Sequence, residues 1–207
     1  MNDIKALHCG CSYTFIPGFI NADIKISGWL PPDVINQVII LDVEKKFQFE
    51  DNTFDYIYSE HMIEHLSYDG IKNYISECYR SLKPGGVIRT AWPKVDFLIE
   101  LQNNPKKYFT YIKNHVDLFH PELLDDFKSY ENIPVSLIIN DNYRMWGHQI
   151  MYDIKGLTQM FKLFGFKNII SVNYGESKHD IFKGIEHSNK RGLECNMLET
   201  GVIECEK

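Results

Sequence analysis

At 207 residues, with 44% hydrophobic and 24% charged side chains, the chain has the composition of one globular domain, and no apolar run is long enough to cross a bilayer. A formal net charge of -6 argues against a phosphate-tracking surface, so nucleic acid is not an expected partner. The five cysteines, Cys9, Cys11, Cys78, Cys195 and Cys205, include no CxxC pair; they are expected as reduced thiols, and no metal site is expected.

In chain order, residues 4–9 form a short apolar run that stops at Gly10, as a buried parallel strand does. Residues 11–17 are too few and too aromatic for a helix, and after Gly18 the run Phe19-Ile20-Asn21-Ala22-Asp23 predicts a second strand tipped by a carboxylate. A loop over 28–32 follows from its Gly and Pro, and residues 37–42 predict a third strand that again ends in Asp. The polar, turn-rich stretch 44–53 returns the chain to a fourth strand over 54–58. Beyond it, Glu60, His61, Glu64 and His65 stand three and four apart, the spacing at which a helix groups side chains. Apolar residues at 71, 74, 75, 78, 79 and 82 predict a helix over 69–82, stopped by Lys83-Pro84-Gly85-Gly86, and residues 87–91 predict a fifth strand. A helix is expected over 94–101. Residues 103–146, rich in His, Tyr, Asn and Asp without a clean period, read as an insertion over a cleft. A helix over 153–163 and strands over 166–172 and 201–205 complete the pattern. This order is that of a parallel α/β sheet whose ligand crevice lies at the carboxyl ends of its strands, closed at one edge by a strand pair.

Leu7-His8-Cys9-Gly10-Cys11, Gly18-Phe19-Ile20-Asn21-Ala22-Asp23, Leu41-Asp42-Val43, the run from Phe49 through Glu60-His61-Met62-Ile63-Glu64-His65-Leu66, and Leu82-Lys83-Pro84-Gly85-Gly86 together resemble the class I S-adenosylmethionine-dependent methyltransferases, most closely the small type 11 group. Gly147-His148, Met151-Tyr152-Asp153 and Gly175-Glu176-Ser177 are similar to one subfamily's C-terminal part. The resemblance implies an α/β, Rossmann-like, seven-stranded and mostly parallel sheet, with helices on both faces and a lid insertion after the fifth strand. It also implies one domain, with residues 1–93 as the cofactor-binding half, 94–150 over the acceptor and 151–207 as the closing helix and strands.

The implied cofactor, S-adenosylmethionine, carries a ribose diol, an adenine, an amino-acid end and a sulfonium. Cys9, Gly10 and Cys11 are then expected at the methionine end, Asp23 on the ribose hydroxyls, Asp42 and Val43 around the adenine, and Ser59 and Glu60 on the near wall. Where the family carries further glycines, this chain has Cys11, Ser12 and Tyr13. Methyl transfer from a sulfonium chiefly needs an acceptor held in line, with a base for hydroxyl acceptors; His61 and His148 are the candidates. Glu64 and His65 read as helix structure, Tyr13, Trp92, Trp146 and Tyr152 as core or cleft wall, and the acids from Glu199 to Glu206 as a solvated face.

The expected function is methylation of a small-molecule or glycan-type acceptor, through the family's association with surface-polysaccharide assembly. The competing reading is a catalytically inactive binding module, which the altered glycine turn favours. A nucleotide-linked dehydrogenase would want a fuller G-x-G-x-x-G turn. With no basic leader, h-region or cleavage site in the first residues, a cytoplasmic location is expected.

Overall fold

Strand β1 (Ala6–Cys9) is buried along its whole length and lies between β2 (Phe19–Asp23) and β4 (Phe54–Glu60), parallel to both. The computed structural model describes residues 4–187 and 192–207. Outside β2 lies the two-residue β3 (Ile39–Ile40), shorter than the 37–42 run suggests, and on the other side of β4 lies β5 (Leu82–Pro93). Strand β7 (Thr200–Glu206) pairs antiparallel to β5, and β6 (Lys167–Ser171) antiparallel to β7. The resulting sheet has seven strands in the order β3-β2-β1-β4-β5-β7-β6, with β7 the reversed one. No described helix is long and apolar enough to cross a membrane.

Alternation along the strands assigns side chains to two faces. Leu7, Cys9, Ile57, Ile88, Ile203 and Cys205 join the main core with Ile71, Tyr74, Ile75 and Cys78 of α1 (Tyr68–Ser81) and Leu157 and Phe161 of α6 (Ile154–Leu163). Both helices are capped at their N-termini: Ser67 Oγ accepts from the Gly70 amide and Asp153 from the Gly156 amide. On the other face Tyr58 and Val87 pack against Phe182 and Ile185, with Phe19 and Ile181 alongside.

Three local expectations change. The Lys83-Pro84-Gly85-Gly86 stop lies inside β5, because the Gly85 amide donates to the Lys207 carbonyl and the Lys207 amide to Gly86, drawing the turn into the sheet edge. The register skips from Phe54↔Leu82 to Tyr56↔Val87 to absorb it. Residues 103–146 are largely helical: α2 (Val95–Asn103) is followed by α3 (Phe109–Phe119), α4 (Leu123–Phe127) and α5 (Val135–Arg144). Their core joins Phe97, Leu101, Tyr108, Tyr111, Val116 and Ile138 to Cys195 on α7 (Leu193–Glu199). The helical period is hard to read because Tyr and His occupy core positions there, His115 being fully buried.

Of the acids expected on a solvated face, Glu199 and Glu204 are buried, at 1% and 2% exposed, and Glu206 at the strand end is partly exposed. β7 is an interior strand, so its side chains from Thr200 to Cys205 are covered on both faces. Glu199 accepts from the Tyr111 hydroxyl at 2.8 Å, and Glu204 from Arg89 Nη1 at 2.6 Å. Arg89, also buried, donates through Nε to Glu186 at 2.6 Å and through Nη1 to the Glu176 carbonyl at 2.9 Å, which ties the 176–186 segment to the sheet. Removing one member of such a buried set leaves uncompensated charge, at a cost of about 3–5 kcal/mol. Arg89→Met should therefore lower the unfolding free energy by about that amount in a denaturant titration; a loss below about 1 kcal/mol would mean that Glu186 and Glu204 are not held by this arginine.

Candidate functional site

The chain leaves β1 through a turn that has no room for a side chain. Gly10 takes φ +73°, and a Cβ there would stand 2.8 Å from the Met62 Cβ. The amides of Gly10 and Cys11 both donate to the Ala22 carbonyl, at 2.9 and 3.0 Å, which ties the turn to the end of β2. Ser12 follows at φ +48°, a left-handed conformation disfavoured by about 1–2 kcal/mol for a residue with a Cβ. The Asp23 carboxylate holds it there, accepting from the Ser12 amide at 2.8 Å and, through its other oxygen, from the Lys25 amide at 3.3 Å. In this chain a carboxylate brace stands where further glycines are expected.

The end of β4 faces this turn across β1. Glu60 accepts from the backbone amide of His187 at 3.0 Å and lies 3.1 Å from its Nδ1. His61 then turns sharply, at φ +46°, with its amide donating to the Ala91 carbonyl of β5. A single 3₁₀ turn, Ile63–His65, follows, and α1 begins only at Tyr68, so no helix gathers Glu60, His61, Glu64 and His65. The turn instead sends Glu60 one way and the other three into a common space.

His148 reaches that space through the backbone. The Gln149 and Ile150 amides donate to the Glu64 carbonyl at 2.7 and 3.2 Å, and the Gln149 side chain donates to the His65 carbonyl at 2.6 Å. The His148 ring then meets the His65 ring edge-on with centroids 4.9 Å apart, and its Nδ1 lies 2.6 Å from the Asn142 carbonyl, which makes Nδ1 the protonated nitrogen. Glu64 is fully buried. One of its oxygens lies 3.3 Å from His61 Nδ1 and 3.9 Å from His65 Nε2, yet among the described residues neither oxygen has a hydrogen-bond partner.

These groups line a cleft of about 440 Å³ running from Gly10, Cys11, Ser12, Tyr13 and Thr14 past Glu60, His61 and Glu64 to Phe119, Asn142, Trp146 and His148. Burial alone would lower the His61 imidazole, but the Glu64 carboxylate, with Glu199 and Glu60 farther off, holds its pKa above the ordinary value. Burial keeps His148 below its ordinary value despite the Asn142 carbonyl and Glu64.

Residues 26–90 match the model of a methyltransferase domain family, the type 11 group. The whole sheet also superposes on solved methyltransferases. A S-adenosylmethionine-dependent methyltransferase from Archaeoglobus fulgidus is 14% identical with a TM-score of 0.54, over 100% of this chain and 87% of that one. Another from Thermotoga maritima is 13% identical with a TM-score of 0.55, over 100% and 84%. The chain has the class I methyltransferase fold. A third methyltransferase of this kind, phosphoethanolamine N-methyltransferase 2 of Haemonchus contortus, solved with phosphomonomethylethanolamine and S-adenosylhomocysteine, is 14% identical with a TM-score of 0.54, over 99% of this chain and 48% of that one. No curated protein matches the sequence. The family match begins beyond Gly10 and Asp23, so the part of the methyltransferase pattern that departs here lies outside it.

Within this methyltransferase fold the residues singled out from the sequence are placed unevenly. Gly10, Cys11, Glu60, His61 and His148 line the cleft. Asp23 stands behind the turn as its brace. Cys9 and Val43 pack into the main core, and Ser59, fully buried, bonds Thr90 Oγ1 at 3.3 Å; these three side chains face inward because they alternate with the cleft-facing positions or lie under them. Asp42 accepts from the Glu44 amide at 3.0 Å and pairs with Lys45 at 3.0 Å, outside the cleft lining. Glu64 is the residue that sequence reasoning undervalues. An i, i+3 spacing from His61 is its only local signal, and its meaning depends on His148, far away in the chain. The same tertiary approach groups ligand atoms of Glu64, His65 and His148 within 4.8 Å of one another, which cysteine spacing has no means of revealing.

His8, on the cleft wall, is bound to Asn21 Oδ1 at 3.0 Å, and burial drives its pKa from 6.5 down to about 4, against the raising influence of Asn21, Glu60 and Asp23. The folded state thus keeps His8 neutral, while the unfolded chain takes up a proton below pH 6.5. Stability attributable to His8 is present above pH 6.5 and is lost as pH falls toward 4, by about 3 kcal/mol in all. His8→Gln should flatten the fall of unfolding free energy between pH 6.5 and 4; equal slopes for both proteins would remove His8 from the acid response.

Proposed function

We propose that the chain transfers a methyl group from S-adenosylmethionine to a small-molecule or glycan-type acceptor held in the cleft. The observation that carries this reading is the position of the Gly10 turn. Strand order reverses between β1 and β4, the place where open α/β sheets bind ligands beyond their strand ends, and the cleft opens there. The residues suit the cofactor. Position 10 offers bare backbone, and Asp23 spends one acceptor site of each oxygen on the Ser12 and Lys25 amides, which leaves lone pairs for a ribose diol. When bound, the cofactor supplies a methyl group already activated by its sulfonium.

The chain's own work is then to place the acceptor and to accept its proton. His61 is the assigned base: its Nδ1 faces the Glu64 carboxylate, which stabilises the imidazolium formed when the other nitrogen takes a hydroxyl proton. Phe119, Asn142 and Trp146, brought by the helical 94–150 segment, form the acceptor wall and exclude water. Among the described residues the cleft lining offers histidine, glutamate, asparagine and aromatic side chains and no lysine or arginine, which suits neutral acceptors; hydroxyl-bearing sugars of surface-polysaccharide assembly are one such class. A non-catalytic module that retains the cofactor is the second reading, supported by the replacement of glycines with Ser12 and Tyr13 at the turn.

Calorimetric titration with S-adenosylhomocysteine should give micromolar binding, weakened at least about tenfold in Asp23→Ala, the equivalent of one charge-assisted hydrogen bond. Absence of binding to the intact protein would sink the assignment. Against a panel of neutral sugars and small hydroxyl or amine acceptors, with sugar nucleotides as the phosphorylated comparison, His61→Ala should keep the cofactor affinity and lose about 10²–10⁴-fold in turnover; undiminished turnover would remove His61 from the mechanism, and a wild-type protein inert toward every acceptor would favour the binding module.

A further inference from the structure

Glu64 is out of place as a structural residue. Its carboxylate is fully buried, borders the cleft, and has no hydrogen-bond donor on either oxygen among the described residues. Buried carboxylates elsewhere in the molecule are provided for: Glu186 and Glu204 receive bonds from Arg89. A bare buried carboxylate is costly, and the ways to hold one are a paired cation, a set of donors or a metal ion. His61 Nδ1 lies 3.3 Å away, near enough to share charge, but the approach does not make a hydrogen bond.

We propose that Glu64, His65 and His148 bind a divalent first-row transition ion of the zinc class at the inner end of the cleft. One ligand atom from each of the three lies within 4.8 Å of the other two, and His65 Nε2 is 3.9 Å from a Glu64 oxygen. Ligand atoms about 2.0–2.2 Å from a shared ion sit roughly 3–3.5 Å apart, so modest side-chain rotation closes the set. Two imidazoles and a carboxylate suit zinc, iron, cobalt or nickel better than the all-oxygen sites of magnesium and calcium. The outer contacts are those a metal-binding histidine uses. His148 Nδ1 is committed to the Asn142 carbonyl, which leaves the Nε2 lone pair for the ion, and the Glu64 and His65 carbonyls are tied by Gln149 and Ile150 so that the ligands keep their spacing.

The second histidine cluster makes a useful contrast. In the cluster of His115, His120 and Asp141 the carboxylate already has a donor: Asp141 accepts from His115 Nε2 at 2.9 Å, with His120 Nε2 3.0 Å from the same oxygen. At Glu64 the three protein ligands leave coordination positions toward the cleft, where water or an acceptor hydroxyl oxygen would complete the sphere. The site stands independently of the methyl-transfer reading, although it would place an oxygen-bearing acceptor beside His61.

The test uses the full chain, stripped with a chelator and checked for native circular dichroism. It is titrated with Zn²⁺ against a chromophoric competitor and with Co²⁺, whose visible absorption reports nitrogen and oxygen ligation. One ion per chain is expected with micromolar or tighter affinity, weakened roughly 100-fold in Glu64→Gln and in His148→Ala and unchanged in His120→Ala. No binding at micromolar ion overturns the proposal, as does unaltered affinity in folded Glu64→Gln and His148→Ala, or a loss confined to His120→Ala. Should the substituted proteins fail to fold, X-ray absorption of the wild-type zinc complex decides, since a first shell without two histidine nitrogens also overturns it. S-adenosylhomocysteine binding measured on the same stripped protein separates failure of the metal site from failure of the methyltransferase assignment.

Discussion

The site depends on the exclusion of a side chain at position 10. β1 is held in register by a parallel neighbour on each side, so its end cannot shift, and the Met62 side chain occupies the space into which a Cβ would project. The chain must therefore turn at Gly10 with positive φ, and the Ala22 carbonyl and Asp23 carboxylate receive the amides that this turn exposes. Met62 itself is placed by the left-handed turn at His61. One steric contact thus links the loop after β1 to the loop after β4, and the cleft is the space between them.

The fold treats buried carboxylates in two ways. Near β7 they are balanced: Arg89 bonds Glu186 and Glu204, and the Tyr111 hydroxyl bonds Glu199. These contacts knit the C-terminal strand and the 176–186 segment to the sheet. At the cleft, Glu64 has imidazoles around it and, among the described residues, no donor bonded to it. Full pairing at Glu64 would spend the field of that carboxylate on structure, whereas an open carboxylate among histidines leaves it available to a proton or a cation. The contrast is what separates the cleft from an ordinary polar pocket.

The parts of the fold legible in the sequence are those in which local pattern and tertiary demand agree. The five residues from Phe19 to Asp23, the strand beginning at Phe54 and the helix ending near Leu82 are visible because β-rich runs and apolar residues at helical spacing agree with what the sheet and its covering helix require. The 103–146 segment is obscured because Tyr108, Tyr111 and His115 fill its core, and such residues carry no clear hydrophobic period. The acids of β7 mislead for a related reason: an acidic strand reads as solvated until Arg89, more than a hundred positions earlier in the chain, is known to lie against it.

By itself the sequence determined a parallel α/β sheet, a glycine at the end of its first strand, acids at the ends of the second and third, and a polar cluster after the fourth. Those are features that steric limits and short-range periodicity impose on neighbouring residues. Tertiary structure alone decided which of the polar residues share a space: that Asp23 braces Ser12, that Ser59 and Cys9 face the core, and that His148 arrives beside Glu64 and His65. The reason is physical. The approach of His148 rests on backbone bonds from Gln149 and Ile150 to the Glu64 carbonyl, and main-chain groups are the same at every position, so no residue type records them in advance.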